Sequence, residues 1–255
     1  MKLKNIFLVG QVLIVSAAIL GAGCAGTETQ EKYNDSLIAR ARAHTELGAV
    51  YYQQKQYEVA LEEFNLAVKV DPKFALAYNG LGLVYADLGK TNEADAYFKK
   101  AIQLDPNNSE SHNNYGAFLC ARNRIDESIT QFLEAVKNPL YSTPAIAYTN
   151  AGVCAARKND IVKSEDYFKK ALQADPLSHA ATYQMANSQF KRKDFIKAKK
   201  TLQNVLLTQP GPEILWLAVQ IERKLGSQDE EADYAQQLRK QYPDSEQAKL
   251  MLNGK

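Results

Sequence analysis

The stretch that decides the fold is residues 75–108, ALAYNGLGLVYADLGKTNEADAYFKKAIQLDPNN, which closes with Asp105-Pro106 and two asparagines. A similar ending recurs along the chain at an interval of 34 residues, with two additional residues in one interval. The prolines that mark these endings are Pro72, Pro106, Pro176 and Pro210. A regular period of this length is typical of an array of helical hairpins.

Residues of the same type also recur at the same offsets within each period. The eighth position, where two helices of a hairpin must approach closely, carries a very small residue: Gly48, Gly82, Gly116, Gly152 and Ala186. In the second half of each period, a small residue is followed four positions later by a large one: Ala60 and Phe64, Ala94 and Phe98, Ser128 and Phe132, Ser164 and Phe168, Ala198 and Leu202. Positions four apart share a helix face, so this pattern predicts an interlocking seam.

The pattern resembles the tetratricopeptide repeat. The resemblance implies an all-α fold over residues 39–252, a superhelix of six helix-turn-helix units with a C-terminal capping helix. The units are residues 41–74, 75–108, 109–144, 145–178, 179–212 and 213–244, and residues 244–252 form the cap. The turns inside the units carry Gly89, Asn123 and Asn159, which tolerate the left-handed backbone that a tight turn needs. The Asp-Pro pairs end the second helices.

The amino terminus has the order of an export signal. Lys2 and Lys4 precede an apolar stretch, and small residues lead up to Cys24. This order resembles a bacterial lipobox, although Gly21 stands where leucine is usual. The resemblance implies that residues 1–23 are removed as a lipoprotein signal peptide and that Cys24 is acylated.

The residues after Cys24 bear on where the chain is held. Ala25 follows the cysteine, whereas aspartate is the usual inner-membrane retention signal in the proteins that the lipobox resembles, so the resemblance implies sorting to the outer membrane, with the chain facing the periplasm. Residues 24–38 are mostly polar and are expected to form a flexible lipid-anchored linker. An ordinary signal peptide and an uncleaved anchor helix are the alternatives.

Charge argues against nucleic-acid binding. The chain has 31 basic and 29 acidic residues, and the two numbers become equal once residues 1–23 are removed. A nucleic-acid-binding protein normally shows a basic excess on one face. The paired lysines are interpreted as a solvated surface on the outward side of the second helices: Lys99-Lys100, Lys169-Lys170 and Lys199-Lys200.

The sequence contains no catalytic, zinc-binding or phosphate-binding motif. His44 and His112 occupy the fourth position of their units, where a bulky core residue belongs, and are interpreted as packing residues. The recurring aspartates belong to helix-ending Asp-Pro pairs. An enzyme is therefore not expected, nor are a cofactor, a metal or a small-molecule substrate.

Cys120 and Cys154 lie on the first helices of the third and fourth units, which run side by side in such an array. An oxidising compartment would allow the two thiols to form a disulfide. Two buried, unpaired cysteines are the alternative.

The first helices line the concave face of such an array, which is the usual docking surface. The residues predicted to line it are Tyr52, Leu76, Asn79, Leu83, Asn113, Ala117, Asn150 and Asn187. An amide donates and accepts hydrogen bonds at once, so the asparagines suit a peptide main chain, while Tyr52, Leu76 and Leu83 offer an apolar groove. The alternative is that some asparagines only satisfy backbone groups between repeats.

Further residues carry a resemblance to a narrower family. They are Asn113-Asn114-Tyr115-Gly116, Phe118-Leu119-Cys120, Leu140-Tyr141, Asn150-Ala151-Gly152, Gln237-Leu238 and Tyr242-Pro243. These stretches resemble the pilotin lipoproteins of type IV pili, the PilF/PilW family. The resemblance implies a lipid-anchored outer-membrane protein that binds the pilus secretin through its early units and promotes secretin localisation and multimerisation. A periplasmic scaffold that recruits murein hydrolases or other envelope enzymes is the alternative function.

Overall fold

The computed structural model describes residues 22–252, with side chains described from residue 32 onward. These residues form two compact units, residues 22–90 and 91–252. The described range contains thirteen α-helices and no strand: α1 Ala22–Gln53, α2 Tyr57–Val70, α3 Ala75–Asp87, α4 Thr91–Leu104, α5 Ser109–Ala121, α6 Ile125–Ala135, α7 Pro144–Arg157, α8 Ile161–Ala174, α9 His179–Lys191, α10 Phe195–Leu206, α11 Pro212–Leu225, α12 Gln228–Gln241 and α13 Glu246–Leu252. The predicted all-α fold class is confirmed.

Each pair of helices is joined by a turn with a left-handed residue. The predicted Gly89, Asn123 and Asn159 have φ angles of 73°, 61° and 63°. The equivalent turns of other repeats use Lys55 and Lys193, with φ angles of 59° and 64°. A lysine at positive φ costs about 1 kcal/mol, so the repeat geometry overrides the local preference in these two turns.

The Asp-Pro pairs end the second helices through two effects. Asp71 and Asp175 have extended backbone conformations, as the following proline requires. Each carboxylate then accepts a hydrogen bond from the backbone N–H two residues later, from Lys73 at 2.9 Å and from Leu177 at 3.0 Å. The helix therefore stops in a turn that its own aspartate stabilises.

Close packing between a ring and a glycine joins the two helices of the hairpin in the first, third and fourth repeats. An added Cβ at Gly48 would lie 2.8 Å from the ring of Phe64, and one at Gly116 would lie 2.8 Å from the ring of Phe132. Gly152 is in even closer contact with the ring of Phe168. The three phenylalanines are at most 2% exposed. The close approach of two helices predicted at the eighth position is therefore confirmed for these three repeats.

The sixth repeat closes on a small core of its own. Leu215 of α11, Leu238 of α12 and Ala248 of α13 pack together and are almost fully buried. The backbone N–H of Ala248 donates to the Ser245 hydroxyl at 3.1 Å, which caps the start of α13. The helix predicted over residues 244–252 is therefore present and packs on the last hairpin.

The segment predicted as a flexible linker is helical instead. Helix α1 begins at Ala22 and continues through residues 24–38 into the first repeat. This segment has no proline and contains several good helix formers, so the helix of the first repeat can extend through it. The predicted signal peptide falls, up to residue 21, outside the described residues, as does the side chain of Cys24.

One lysine interpreted as solvated surface takes part in a buried ion pair. Lys199 of α10 donates to Glu222 of α11 at 2.9 Å, and the Glu222 side chain is only 2% exposed. The hydrogen bond to Glu222 raises the pKa of Lys199. The sequence analysis missed this role because the offset of Glu222 carries the buried Val84, Phe118 and Cys154 in other repeats, which gives no sign of a charged partner.

We expect the substitution Gly116→Ala to lower the free energy of unfolding by about 1–3 kcal/mol, because overpacking against Phe132 outweighs the gain in helix propensity. In a Phe132→Leu background, which removes the ring, the same substitution should have little effect. Thermal or urea unfolding of the four proteins, followed by circular dichroism, measures the coupling. Equal effects of Gly116→Ala in both backgrounds would contradict the ring-to-glycine seam.

Candidate protein-binding face on the first helices

The predicted face residues of the first compact unit lie on α1 and α3. Leu76 is 37% exposed, Leu83 and Tyr52 are partly exposed, and Asn79 is only 8% exposed. The two leucines therefore present apolar surface, while the amide of Asn79 lies in the interior. This part of the face is apolar rather than amide-rich.

The predicted residues of the second compact unit lie on α5, α7 and α9. The side-chain amide of Asn150 donates to the side-chain oxygen of Asn113 at 3.1 Å, which links two neighbouring first helices. Asn187 is partly exposed and Ala117 is exposed. The contact of Asn113 and Asn150 joins two side chains of neighbouring repeats and is not the bond to backbone groups that the alternative describes.

A cluster that the sequence reading missed lies at the end of the face in the first unit. The hydroxyl of Tyr57 donates to Oδ2 of Asp87 at 3.3 Å, and Asp87 also forms a hydrogen bond with Tyr52. The two tyrosine rings lie 6.1 Å apart. Burial, with the bond to Asp87, raises the pKa of Tyr52 to about 12. One signal in the sequence could have revealed the cluster. Tyr52 and Tyr57 of the first repeat occupy the same two offsets as Phe190 and Phe195 of the fifth repeat, so an aromatic pair recurs there.

A second cluster surrounds Asp95 of α4. Its carboxylate accepts hydrogen bonds from Tyr115 at 2.9 Å and from Arg124 at 2.6 Å, and it also pairs with Lys99. Burial opposes the ionisation of Asp95, but the hydrogen bonds from Lys99, Arg124 and Tyr115 outweigh it and lower the pKa of Asp95. Burial and the bond to Asp95 raise the pKa of Tyr115 to about 12. The cluster ties α4 to α5 and to Arg124, the residue that precedes α6, and so stabilises the packing of these helices.

Cys120 and Cys154 are joined in the structure as a disulfide between α5 and α7, with Cα atoms 5.9 Å apart. Arg157 donates to the backbone carbonyl of Cys120 at 2.9 Å and so adds a second tie between the same helices. Cys154 is 2% exposed and lies in the core with Phe132. The third and fourth repeats are thus cross-linked next to the face.

The histidines make local contacts. Nδ1 of His112 lies 2.7 Å from Gln131 and its Nε2 lies 2.9 Å from the carbonyl of Pro106. Nδ1 of His44 lies 2.7 Å from Glu63 at the equivalent place in the first repeat. Within the described side chains, no group of three or more histidine, cysteine, aspartate or glutamate residues is arranged to hold a metal ion. None of the helices in residues 22–252 has the length and apolar character needed to cross a membrane.

Comparison with known proteins agrees with this architecture. Family models described as tetratricopeptide repeats match residues 48–89, 75–108, 97–130, 119–179 and 183–246. The fold and these matches define a tetratricopeptide repeat protein, which is a scaffold for protein interactions. Comparison with curated protein sequences gives no match.

Several solved structures are similar to the chain. One is described as PilW, a widely conserved type IV pilus biogenesis factor; it has 30% identity and a TM-score of 0.69, and the match covers 83% of this chain and 98% of that one. Another is PilF from Pseudomonas aeruginosa, with 24% identity and a TM-score of 0.72; the match covers 86% of this chain and 100% of that one. Yeast Tom70, at 19% identity and a TM-score of 0.63, matches 84% of this chain and 47% of its own. The chain belongs to the PilF/PilW-like family of tetratricopeptide repeat proteins.

The disulfide predicts that the denatured, unreduced protein yields no alkylated peptide containing Cys120 or Cys154. Replacing both cysteines by serine should lower the free energy of unfolding by about 3–4 kcal/mol, because the bridge closes a loop of 34 residues. Mass spectrometry of the alkylated peptides and urea unfolding check the two outcomes. Full alkylation of both cysteines without reductant would overturn the pairing.

The lowered pKa of Asp95 predicts a pH-dependent contribution to stability. The pKa of Asp95 in the folded protein lies below its value of about 3.9 in the unfolded chain. The ionised carboxylate therefore stabilises the folded protein above about pH 4, and this stabilisation is lost as the pH falls through the pKa of the folded state. We expect Asp95→Asn to cost about 1–3 kcal/mol at pH 7 and less at lower pH.

Asp166→Asn is the matched control, because Asp166 forms only an exposed pair with Lys170. It should change stability by less than about 0.5 kcal/mol at either pH. Urea unfolding at neutral and acidic pH compares the variants. An equal cost of Asp95→Asn at both pH values would contradict the ionised cluster.

Proposed function

We propose that this protein is a non-catalytic pilotin of the type IV pilus, which binds the pilus secretin and promotes its localisation and multimerisation in the outer membrane. The observation that carries the proposal is the match along nearly the whole length of PilW, which is described as a type IV pilus biogenesis factor. A protein of this class acts by binding, so it needs an accessible face and no reactive group.

The partly exposed face of the first compact unit supports a binding role. Leu76 and Leu83 lie on one side of α3, seven residues apart, and both retain accessible surface in the folded protein. Two leucines at this spacing lie on one helix face about 10 Å apart, which is the length of about three residues of an extended peptide. We therefore propose that a secretin segment docks along α3.

The proposed anchor would make a weak contact effective. Acylation of Cys24 would hold the chain at the outer membrane, facing the periplasm, and two or more acyl chains hold a protein there stably. A secretin segment bound to an anchored protein is concentrated near the membrane in which the secretin ring forms. Helix α1, which continues from this end into the first repeat, would connect the anchor to the binding face.

We expect Leu83→Glu to reduce secretin multimers, because it places a charge in the apolar part of the face. Leu66→Glu is the matched control, since Leu66 is a leucine of α2, 41% exposed, in the same compact unit. Both variants should keep the helical circular dichroism of the wild type. Secretin multimers in membranes are then compared on mildly denaturing gels.

The outcomes separate the proposed functions. Fewer multimers with Leu83→Glu and normal multimers with Leu66→Glu support the pilotin. Normal multimers and normal surface pili in a strain that lacks the gene would refute it and favour a scaffold for other envelope enzymes. Equal losses of secretin multimers with both variants would show that α3 is not the docking site.

A further inference from the structure

The carboxylate of Asp87 is exposed and forms hydrogen bonds with two neutral groups. Asp87 is the last residue of α3, and its partners are the hydroxyls of Tyr52 and Tyr57. Among the described side chains, no lysine, arginine or histidine nitrogen lies within 4.0 Å of it. Several aspartates of the second helices and turns, such as Asp126 and Asp194, do have such a partner. Within the described side chains, Asp87 is therefore an exposed carboxylate without a basic partner.

The fifth repeat shows what this position looks like when its role is packing alone. Phe190 and Phe195 occupy the offsets of Tyr52 and Tyr57, and their rings lie 5.3 Å apart. Leu225 occupies the offset of Asp87 in the following repeat. An aromatic pair with an aliphatic neighbour is thus sufficient to pack this turn. The two hydroxyls of the first repeat and the carboxylate of the second go beyond what packing requires.

The chemistry of the cluster favours a cation. Tyrosine hydroxyls that donate to a carboxylate orient it and leave its other lone pairs free to accept charged hydrogen bonds. The pKa of Tyr52, raised to about 12 by burial and by Asp87, keeps this group a neutral donor at any physiological pH. The neighbouring aromatic rings add a favourable surface for a guanidinium or ammonium group.

The cluster continues the apolar stripe of α3. Leu83 precedes Asp87 by four residues and Leu76 precedes it by eleven, so all three share one face of the helix. The stripe from Leu76 to Asp87 is about 16 Å long, at 1.5 Å per residue. An extended peptide of about five residues spans that distance.

We propose that Asp87, with Tyr52 and Tyr57, binds a lysine or arginine side chain of an extended partner segment whose apolar side chains contact Leu83 and Leu76. This inference rests on the proposed function for the place of binding, and it adds the chemistry of the bound segment. The segment carries a basic residue, with apolar residues within about five positions of it. Charge complementarity selects this occupant over an acidic or wholly apolar one.

The first arm of the test uses the purified secretin of the same pilus system and measures its affinity for the full-length protein at low and high salt. Asp87→Asn should weaken binding about three- to tenfold at low salt and reduce the dependence on salt, and Asp87→Lys should weaken it further. Asp35→Asn, an exposed aspartate of α1 in the same unit, should bind as the wild type does. Circular dichroism checks that each variant is folded.

The second arm does not depend on the secretin. A random peptide library displayed on phage is selected against the full-length protein and against Asp87→Asn in parallel. Enrichment of peptides with a lysine or arginine near apolar residues by the wild type, and loss of that enrichment with Asp87→Asn, supports the site even if the secretin does not bind. Secretin binding that is equal for wild type and Asp87→Asn, with no basic residue among selected peptides, would overturn the site and leave the pilotin proposal standing.

Discussion

The structure depends on the contact between a phenylalanine ring of one helix and a glycine of the helix that pairs with it. Phe64, Phe132 and Phe168 each lie against a glycine so closely that a single added carbon would overlap the ring. Close contact of this kind fixes the distance and the angle between the two helices of a hairpin. Because the same pair recurs in the first, third and fourth repeats, the two helices of each of these hairpins pack against each other in a similar way.

That constraint explains why the fold could be predicted so fully from the sequence. The spacing of glycine, small residue and phenylalanine is itself the packing pattern, and the Asp-Pro endings set the helix lengths. The predictions failed where no recurring residue marked the feature. Lys55 and Lys193 occupy left-handed turns that the tertiary structure imposes, and residues 24–38 extend α1 because nothing in them stops a helix.

The candidate face could be predicted only in part, since exposure depends on neighbours that the repeat pattern does not specify. Leu76 and Leu83 retain accessible surface, but Asn79 is buried, and the side chains of Asn113 and Asn150 form a hydrogen bond between two repeats. The Tyr52, Tyr57 and Asp87 cluster was missed because its members come from three helices that only the fold brings together. Each residue alone carries no signal, and the recurring aromatic pair became meaningful only when the contact with Asp87 was known.

The central claim is that the face of α3 contacts the secretin in the cell. The most direct measurement places a photo-crosslinking amino acid at Leu83, and separately at Leu66 of α2, in cells that assemble type IV pili. The account predicts a crosslink to the secretin from position 83 and none from position 66. Crosslinks to the secretin from position 66 alone, or from neither position in piliated cells, would contradict it.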